Sequence, residues 1–200
     1  MLIETFTVGS LSTNCYVVSS QKTKDAIIID PGIDLSLEAD QILEYIAEAG
    51  LNVKLIVNTH GHSDHINGDA IFQEKYNVAI CIHRLDAGSL AVLENPSFPQ
   101  TVLLDEGSLI QFGDESLKVM HTPGHTPGGI CLRGERLVFT GDTLFAGGIG
   151  RTDFAGGSDG DMQLSLQRLA GLPDYLIVYP GHGPTTIIGE EKRVNPFLTT

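Results

Sequence analysis

His60-Gly61-His62-Ser63-Asp64-His65 follows the strand-like run Val53–Asn58, which ends at Thr59. Four side chains of metal-ligand type thus fall within six residues, at the end of a segment that reads as a buried strand. In extended chain, positions i and i+2 point the same way, so His60 and His62 can share one ion. Asp64 and His65 are adjacent, so a turn is needed to aim both at a second ion. Three further segments carry the same residue types between rigid turns. They are Thr122-Pro123-Gly124-His125-Thr126-Pro127-Gly128-Gly129, Thr140-Gly141-Asp142-Thr143 and Pro180-Gly181-His182-Gly183-Pro184. Alone, one histidine in a turn is a weak signal. Together they complete a set of five histidines and two aspartates: His60, His62, Asp64, His65, His125, Asp142 and His182. A fifth segment, Gly150-Arg151-Thr152-Asp153-Phe154, is not of ligand type. Arg151 reads either as half of a surface ion pair or as a cation that positions an anionic group.

The rest of the chain suits a sheet core covered by helices. Tyr16–Ser19 and Ala26–Ile29 are β-rich, and Pro31-Gly32 turns the chain. Leu35, Ala39, Ile42, Leu43, Ile46 and Ala47 keep helical spacing up to Gly50. A short helix is expected over Asp69–Tyr76 and a strand over Val78–Ile82. Val102–Thr140 reads as strands separated by glycine turns. Met162, Leu166, Leu169 and Ala170 mark a helix closed by Gly171 and Pro173, and Tyr175–Tyr179 is a last strand. His83 and His121, outside the seven, read as structural.

Length and composition narrow the function. Two hundred residues at 42% apolar and 18% charged are enough for one packed domain, expected over residues 1–200. Twelve basic against 25 acidic residues leave a net charge of −13. That disfavours nucleic acid and anionic membrane surfaces as partners. No apolar run reaches the roughly 18 residues of a membrane span, and Met1–Ser10 lacks a basic segment followed by an apolar one. Cys15, Cys81 and Cys131 are odd in number and far apart, which suits reduced, buried thiols in the cytoplasm. The nucleophile expected is a metal-bound hydroxide, formed because a bound water ionises near pH 7.

In these motifs the chain resembles the metallo-β-lactamase superfamily over essentially its whole length. Within it, the segments Thr122–Thr126, Gly150–Phe154 and Asn195–Leu198 resemble small glyoxalase II-like hydrolases. The resemblance implies an αββα sandwich: two mixed sheets flanked by helices, with the metal site at one edge. It implies His60, His62 and His125 on a first ion, Asp64, His65 and His182 on a second, and Asp142 between them. Asp64 and Asp142 are then the catalytic carboxylates, and Asp30 in Ile29-Asp30-Pro31-Gly32 supports the ligands from behind. Arg151 and Asp153 are implied at the substrate. The implied cofactors are two divalent ions; zinc suits these ligands first, and iron or manganese also fit.

The implied reaction is hydrolysis of a small-molecule thioester such as S-D-lactoylglutathione. A mono-iron persulfide dioxygenase, using His60, His125 and Asp142, is the alternative, and a phosphodiesterase or nuclease a further one. A β-lactamase is disfavoured, because Asp142 stands where the commonest type carries a cysteine. Full glyoxalase II enzymes add a C-terminal helical domain, for which the residues after His182 are too few. Lys192, Arg193 and the apolar Asn195–Leu198 are the partial replacement on offer. The expectation is therefore a weak hold on glutathione and broad tolerance of other thioesters. Oligomeric state is not legible.

Overall fold

Ala26, Ile27, Ile28 and Ile29 are all fully buried, and their side chains alternate between two different cores. Ile28 packs with one apolar cluster, Ile27 and Ile29 with another. A strand buried on both faces must lie inside a layered structure. The computed structural model of the protein, which describes residues 1–90 and 101–198, shows those layers.

The first sheet holds six strands in chain order: β1 (Leu2–Val8), β2 (Thr13–Ser19), β3 (Asp25–Ile29), β4 (Asn52–Val57), β5 (Ala79–His83) and β6 (Val102–Leu104). β1, β2 and β3 pair antiparallel, and β3 to β6 run parallel. Parallel neighbours need crossovers. α1 (Ser36–Glu48) supplies the one from β3 to β4, and the pair α2 (Ser63–Ile66) and α3 (Asp69–Tyr76) the one from β4 to β5. The second sheet runs β7 (Leu109–Phe112), β8 (Glu115–His121), β9 (Ile130–Arg133), β10 (Leu137–Gly141), β11 (Ile177–Pro180) and β12 (Thr186–Ile187). Here β10 and β11 pair parallel, with α4 (Asp159–Ala170) as the crossover, and α5 (Ile188–Val194) follows β12.

Three apolar clusters separate the four layers. Ala39, Ile42, Ile46 and Phe72 of the helices meet Val17, Ile28, Ile56 and Ile82 of the first sheet. Tyr16, Val18, Ile27 and Val57 meet Leu117, Val119, Leu132 and Phe139 between the sheets. Met162, Leu166 and Leu169 of α4 cover Cys131, Val138 and Val178 of the second sheet. This is the αββα sandwich. Each large apolar side chain so buried contributes roughly 1.5–3 kcal/mol, and none of these is a candidate ligand.

Several elements differ from expectation. β1 carries Glu4, Thr5 and Thr7 among its apolar residues and is an edge strand, so no clean alternation announces it. Its hairpin to β2 turns through Gly9 and Ser12, both at positive φ. α4 starts at Asp159 rather than near Met162, because the Ser158 hydroxyl accepts the Asp161 N–H and caps the helix. α5 is too short to show a periodicity. Among the described residues no helix is long and apolar enough to cross a membrane. Cys15, Cys81 and Cys131 are buried free thiols.

Candidate metal centre

The ligand-bearing loops leave the carboxyl ends of β4, β10 and β11 and the turn between β8 and β9, all at one edge of the sandwich. His60 lies in a bend three residues past the end of β4 rather than in extended chain. His62 is the residue that starts α2, and Asp64 and His65 lie in its first turns. That short helix is the turn the adjacent pair requires. Asp142 follows directly on β10, and His182 lies two residues past β11.

All seven side chains converge. His62 Nδ1 stands 3.1 Å from His60 Nε2 and 2.8 Å from His125 Nε2. His65 Nε2 stands 3.3 Å from His182 Nε2 and 3.5 Å from Asp64 Oδ2. The Asp142 carboxylate lies between the two groups. Its Oδ1 faces His65 Nε2 at 3.5 Å, and its Oδ2 faces His125 Nε2 at 3.4 Å and His182 Nε2 at 3.5 Å. Three overlapping trios hold their ligand atoms within 4.8 Å of one another: His60, His62 and His125; His60, His65 and Asp142; Asp64, His65 and His182.

Asp142 Oδ1 is buried without a hydrogen-bond partner. An orphaned carboxylate oxygen among converging imidazoles fits a divalent cation.

Groups behind the ligands set their orientation. Asp30, at 1% exposure, accepts the Thr59 N–H and hydroxyl, both at 2.7 Å, and faces His65 Nδ1 at 3.0 Å. The Thr59 hydroxyl in turn lies 3.2 Å from His60 Nδ1. His125 Nδ1 donates to the Arg151 carbonyl at 2.7 Å, and His182 Nδ1 to the Leu11 carbonyl at 3.1 Å. Such contacts leave the opposite ring nitrogen free to ligate. Asn14 donates to the carbonyls of Pro180 and Gly183 and so straddles His182, while the Thr13 hydroxyl donates to Asp64.

Electrostatics divide the histidines. Burial pushes His60 well below its usual value, and its imidazole neighbours push further. Burial and His125 lower His62. Burial also opposes charge on His182, but hydrogen bonds to Asp142 and Asp64 outweigh it and carry the ring up to about 10. His65 is likewise buried yet raised, by Asp30 first. A cation bound at these rings would compete with the protons that the carboxylates favour there.

Asp69 was not singled out by sequence. It is fully buried at the start of α3 and accepts from Asn58 at 2.5 Å. Burial pushes its carboxyl well above the usual range; the Asn58 amide pulls it down and Asp30 pushes it up. An acid raised on folding contributes fully below its unfolded value, about 3.9, and loses that contribution as pH rises through the folded value. Asp69→Asn removes the cost of keeping the acid protonated, and it offers an N–H to Asn58 Oδ1, which lacks a donor. The variant is expected to melt above the wild type at pH 8, with the gap closing toward pH 4. Thermal unfolding at both values checks this; a variant less stable at pH 8 would show that Asp69 works as an anion.

Arg151 and Asp153 sit at the rim. They form a two-pronged ion pair, at 2.7 and 2.8 Å, on the exposed surface. The Arg151 guanidinium lies 3.8 Å over the Phe154 ring, and that ring meets His62 edge-on at 5.8 Å. Lys192 and Arg193 are placed elsewhere. Lys192 binds the Leu172 carbonyl and Asp174, ahead of β11 and so at the end opposite His182. Arg193 pairs with Glu190. Both cations are thus engaged, Lys192 by the segment between α4 and β11 and Arg193 within α5. Asn195 is fully buried and ties α5 to the carbonyls of Phe145 and Gly148. His83 and His121 stack face to face at 4.1 Å.

A family model described as the metallo-beta-lactamase superfamily matches residues 8–182. The Haemophilus influenzae protein named hydroxyacylglutathione hydrolase GloC is 34% identical over 215 residues, covering 100% of this chain and 99% of that one. The mitochondrial persulfide dioxygenase ETHE1 of Mus musculus is 32% identical over 195 residues, covering 94% of this chain and 72% of that one. Among solved structures, BLEG-1, described as a B3 metallo-beta-lactamase, superposes with a TM-score of 0.85 at 32% identity and covers 100% of both chains. TTHA1623, solved in a di-iron-bound form, superposes with a TM-score of 0.82 at 35% identity over 99% of this chain and 100% of that one.

Proposed function

The chain belongs to the metallo-β-lactamase superfamily, and on that premise we propose that it is a two-metal hydrolase of small thioesters, with S-D-lactoylglutathione as the representative substrate. The observation that carries this reading is the place of Asp142, with one carboxylate oxygen toward His65 and the other toward His125 and His182. In the proposal His60, His62 and His125 hold one ion, Asp64, His65 and His182 the other, and Asp142 both. Bound there, divalent ions supply an ionised water at neutral pH and a Lewis acid for the substrate carbonyl. Zinc suits the nitrogen-rich set, and a di-iron form of a 35% identical structure keeps iron open.

The chain's own groups fit thioester chemistry. The imidazoles and carboxylates of the cluster all serve as ligands in this reading, which leaves no free general acid beside them. A thiolate, with a thiol pKa near 8.5, departs without a proton donor. Asp30 and Thr59 keep His60 and His65 aimed, and Asp64 is held ionised by His182 and His65 against the opposing effect of burial. The match to GloC covers 100% of this chain and 99% of that one, whereas the match to ETHE1 covers 72% of that protein.

The second reading is the mono-iron persulfide dioxygenase, favoured by the 32% identity to ETHE1. It uses His60, His125 and Asp142 and gives the trio of Asp64, His65 and His182 no ion to hold. We place the protein in the cytoplasm, on the strength of its buried, unpaired thiols. Its partner in this reading is the small-molecule substrate alone.

Metal analysis of protein purified without chelators, with thioester hydrolysis and oxygen uptake measured side by side, tests the choice. Two zinc ions per chain with hydrolysis supports the first reading. One iron with persulfide-dependent oxygen uptake replaces it with the second.

Asp153 occupies two faces of the Arg151 fork, which leaves N–H groups on Nη1 for an anionic substrate group. Arg151→Ala is expected to raise KM about tenfold, the worth of one charge-assisted hydrogen bond, and to change kcat less. Steady-state kinetics with lactoylglutathione decide it; unchanged KM and kcat would make the pair a surface feature.

A further inference from the structure

Asp86 lies in the turn after β5, outside every ligand motif, and is 6% exposed. Its carboxylate makes three hydrogen bonds and, among the described residues, no ion pair. Oδ2 accepts the Gly61 N–H at 3.0 Å and the Thr126 hydroxyl at 2.7 Å; Oδ1 accepts the Gly128 N–H at 2.7 Å. Gly61 stands between His60 and His62, and Thr126 follows His125. One carboxylate thus joins the loop after β4 in the first sheet to the loop between β8 and β9 in the second.

The fit leaves no slack. A Cβ on Gly128 would stand 2.5 Å from the Asp86 carboxylate, and one on Gly61 would stand 2.4 Å from Ser89 Oγ. Glycine at both places allows the backbones to close on the turn. The neighbouring histidines brace the same junction. His83, at the end of β5, stacks on His121, at the end of β8, and His121 Nε2 donates to the Pro127 carbonyl at 2.9 Å.

We infer that Asp86 is a positioning residue for one ion of the pair, fixing the separation of His60 and His62 from His125 without touching metal or substrate. The second trio has different supports, Thr13 on Asp64 and Asn14 around His182. Loss of Asp86 therefore acts on one half of the site. A buried carboxylate held by three hydrogen bonds and, among the described residues, by no cation is costly to keep unless its geometry is needed. The inference rests on the two-metal reading.

Co²⁺ titration into metal-depleted protein, followed by its visible absorption, tests it. In Asp86→Asn one site is expected to keep its wild-type affinity. The other is expected to weaken about 10- to 100-fold, the usual cost of losing a group that orients ligands. The remaining spectrum should match that of His62→Ala and not that of His182→Ala. Thr126→Val removes one of the three bonds and should give a smaller loss at the same site, which keeps the question answerable if Asp86→Asn does not fold. Unchanged affinity at both sites, equal weakening at both, or a loss matching His182→Ala overturns the inference. If the wild type takes up a single ion, the two-metal reading falls by itself. Asp86 then stands only if its loss weakens that ion.

Discussion

Asp142→Ala is expected to lower kcat/KM for thioester hydrolysis by about 10³-fold or more and to leave at most one metal ion per chain. Asp142 is the carboxylate placed between both trios, so in the two-metal reading its removal takes a ligand from each ion. Several kcal/mol of charge stabilisation are at stake, and each 1.36 kcal/mol is a factor of ten in rate. The fold is expected to persist. Asp142 sits past the end of β10, while Val138 and Phe139 within that strand are fully buried in the packed layers. Circular dichroism, metal content and steady-state rates on one preparation check all three points. Wild-type turnover without added metal would remove Asp142 from the site.

Gly181→Ala is expected to come second in size, although no ligand is changed. A Cβ at this position would stand 2.2 Å from Asp142 Oδ1, 2.9 Å from His65 Cε1 and 3.1 Å from the Gly141 carbonyl carbon. Either the carboxylate or the His182 loop has to move. The loop is held by the Gly181 N–H to the Gly141 carbonyl at 2.8 Å and by the Asn14 N–H to the Gly181 carbonyl at 2.7 Å. Misplacement by about 1 Å can cost about 10²-fold in rate, and that is the loss expected, with metal content falling alongside. Gly160→Ala, in open space on α4, is the control and should be active and at least as stable. Full activity and full metal in Gly181→Ala would show that the loop yields freely and that its glycine is not needed for close approach.

The parts of the molecule legible from sequence are those with a local signature. His60 to His65 show four ligand types in six residues, and the structure brings those four together with His125, Asp142 and His182. The helix over Asp69–Tyr76 occupies those residues in the fold. The fully apolar Ala26–Ile29 lies buried between two layers. What escaped has its cause at long range. Asp86 meets Gly61 and Gly128 across 25 and 42 residues, and nothing within Arg84-Leu85-Asp86-Ala87 hints at either. Asn14 grips the His182 loop across 166 residues, and Asp69 looks like an ordinary polar start to a helix until its burial is seen. The polar edge strand β1 is defined by its partner β2 and not by its own pattern. His83 and His121 gain their stacked contact only where β5 and β8 end side by side.

The most direct test of the two-metal thioesterase is a single titration. Metal-depleted protein receives increasing equivalents of zinc, and the initial rate of S-D-lactoylglutathione hydrolysis is read at each step. The account predicts a rate that climbs to a plateau at two equivalents per chain. A plateau at one equivalent, or no hydrolysis at any loading, would contradict it.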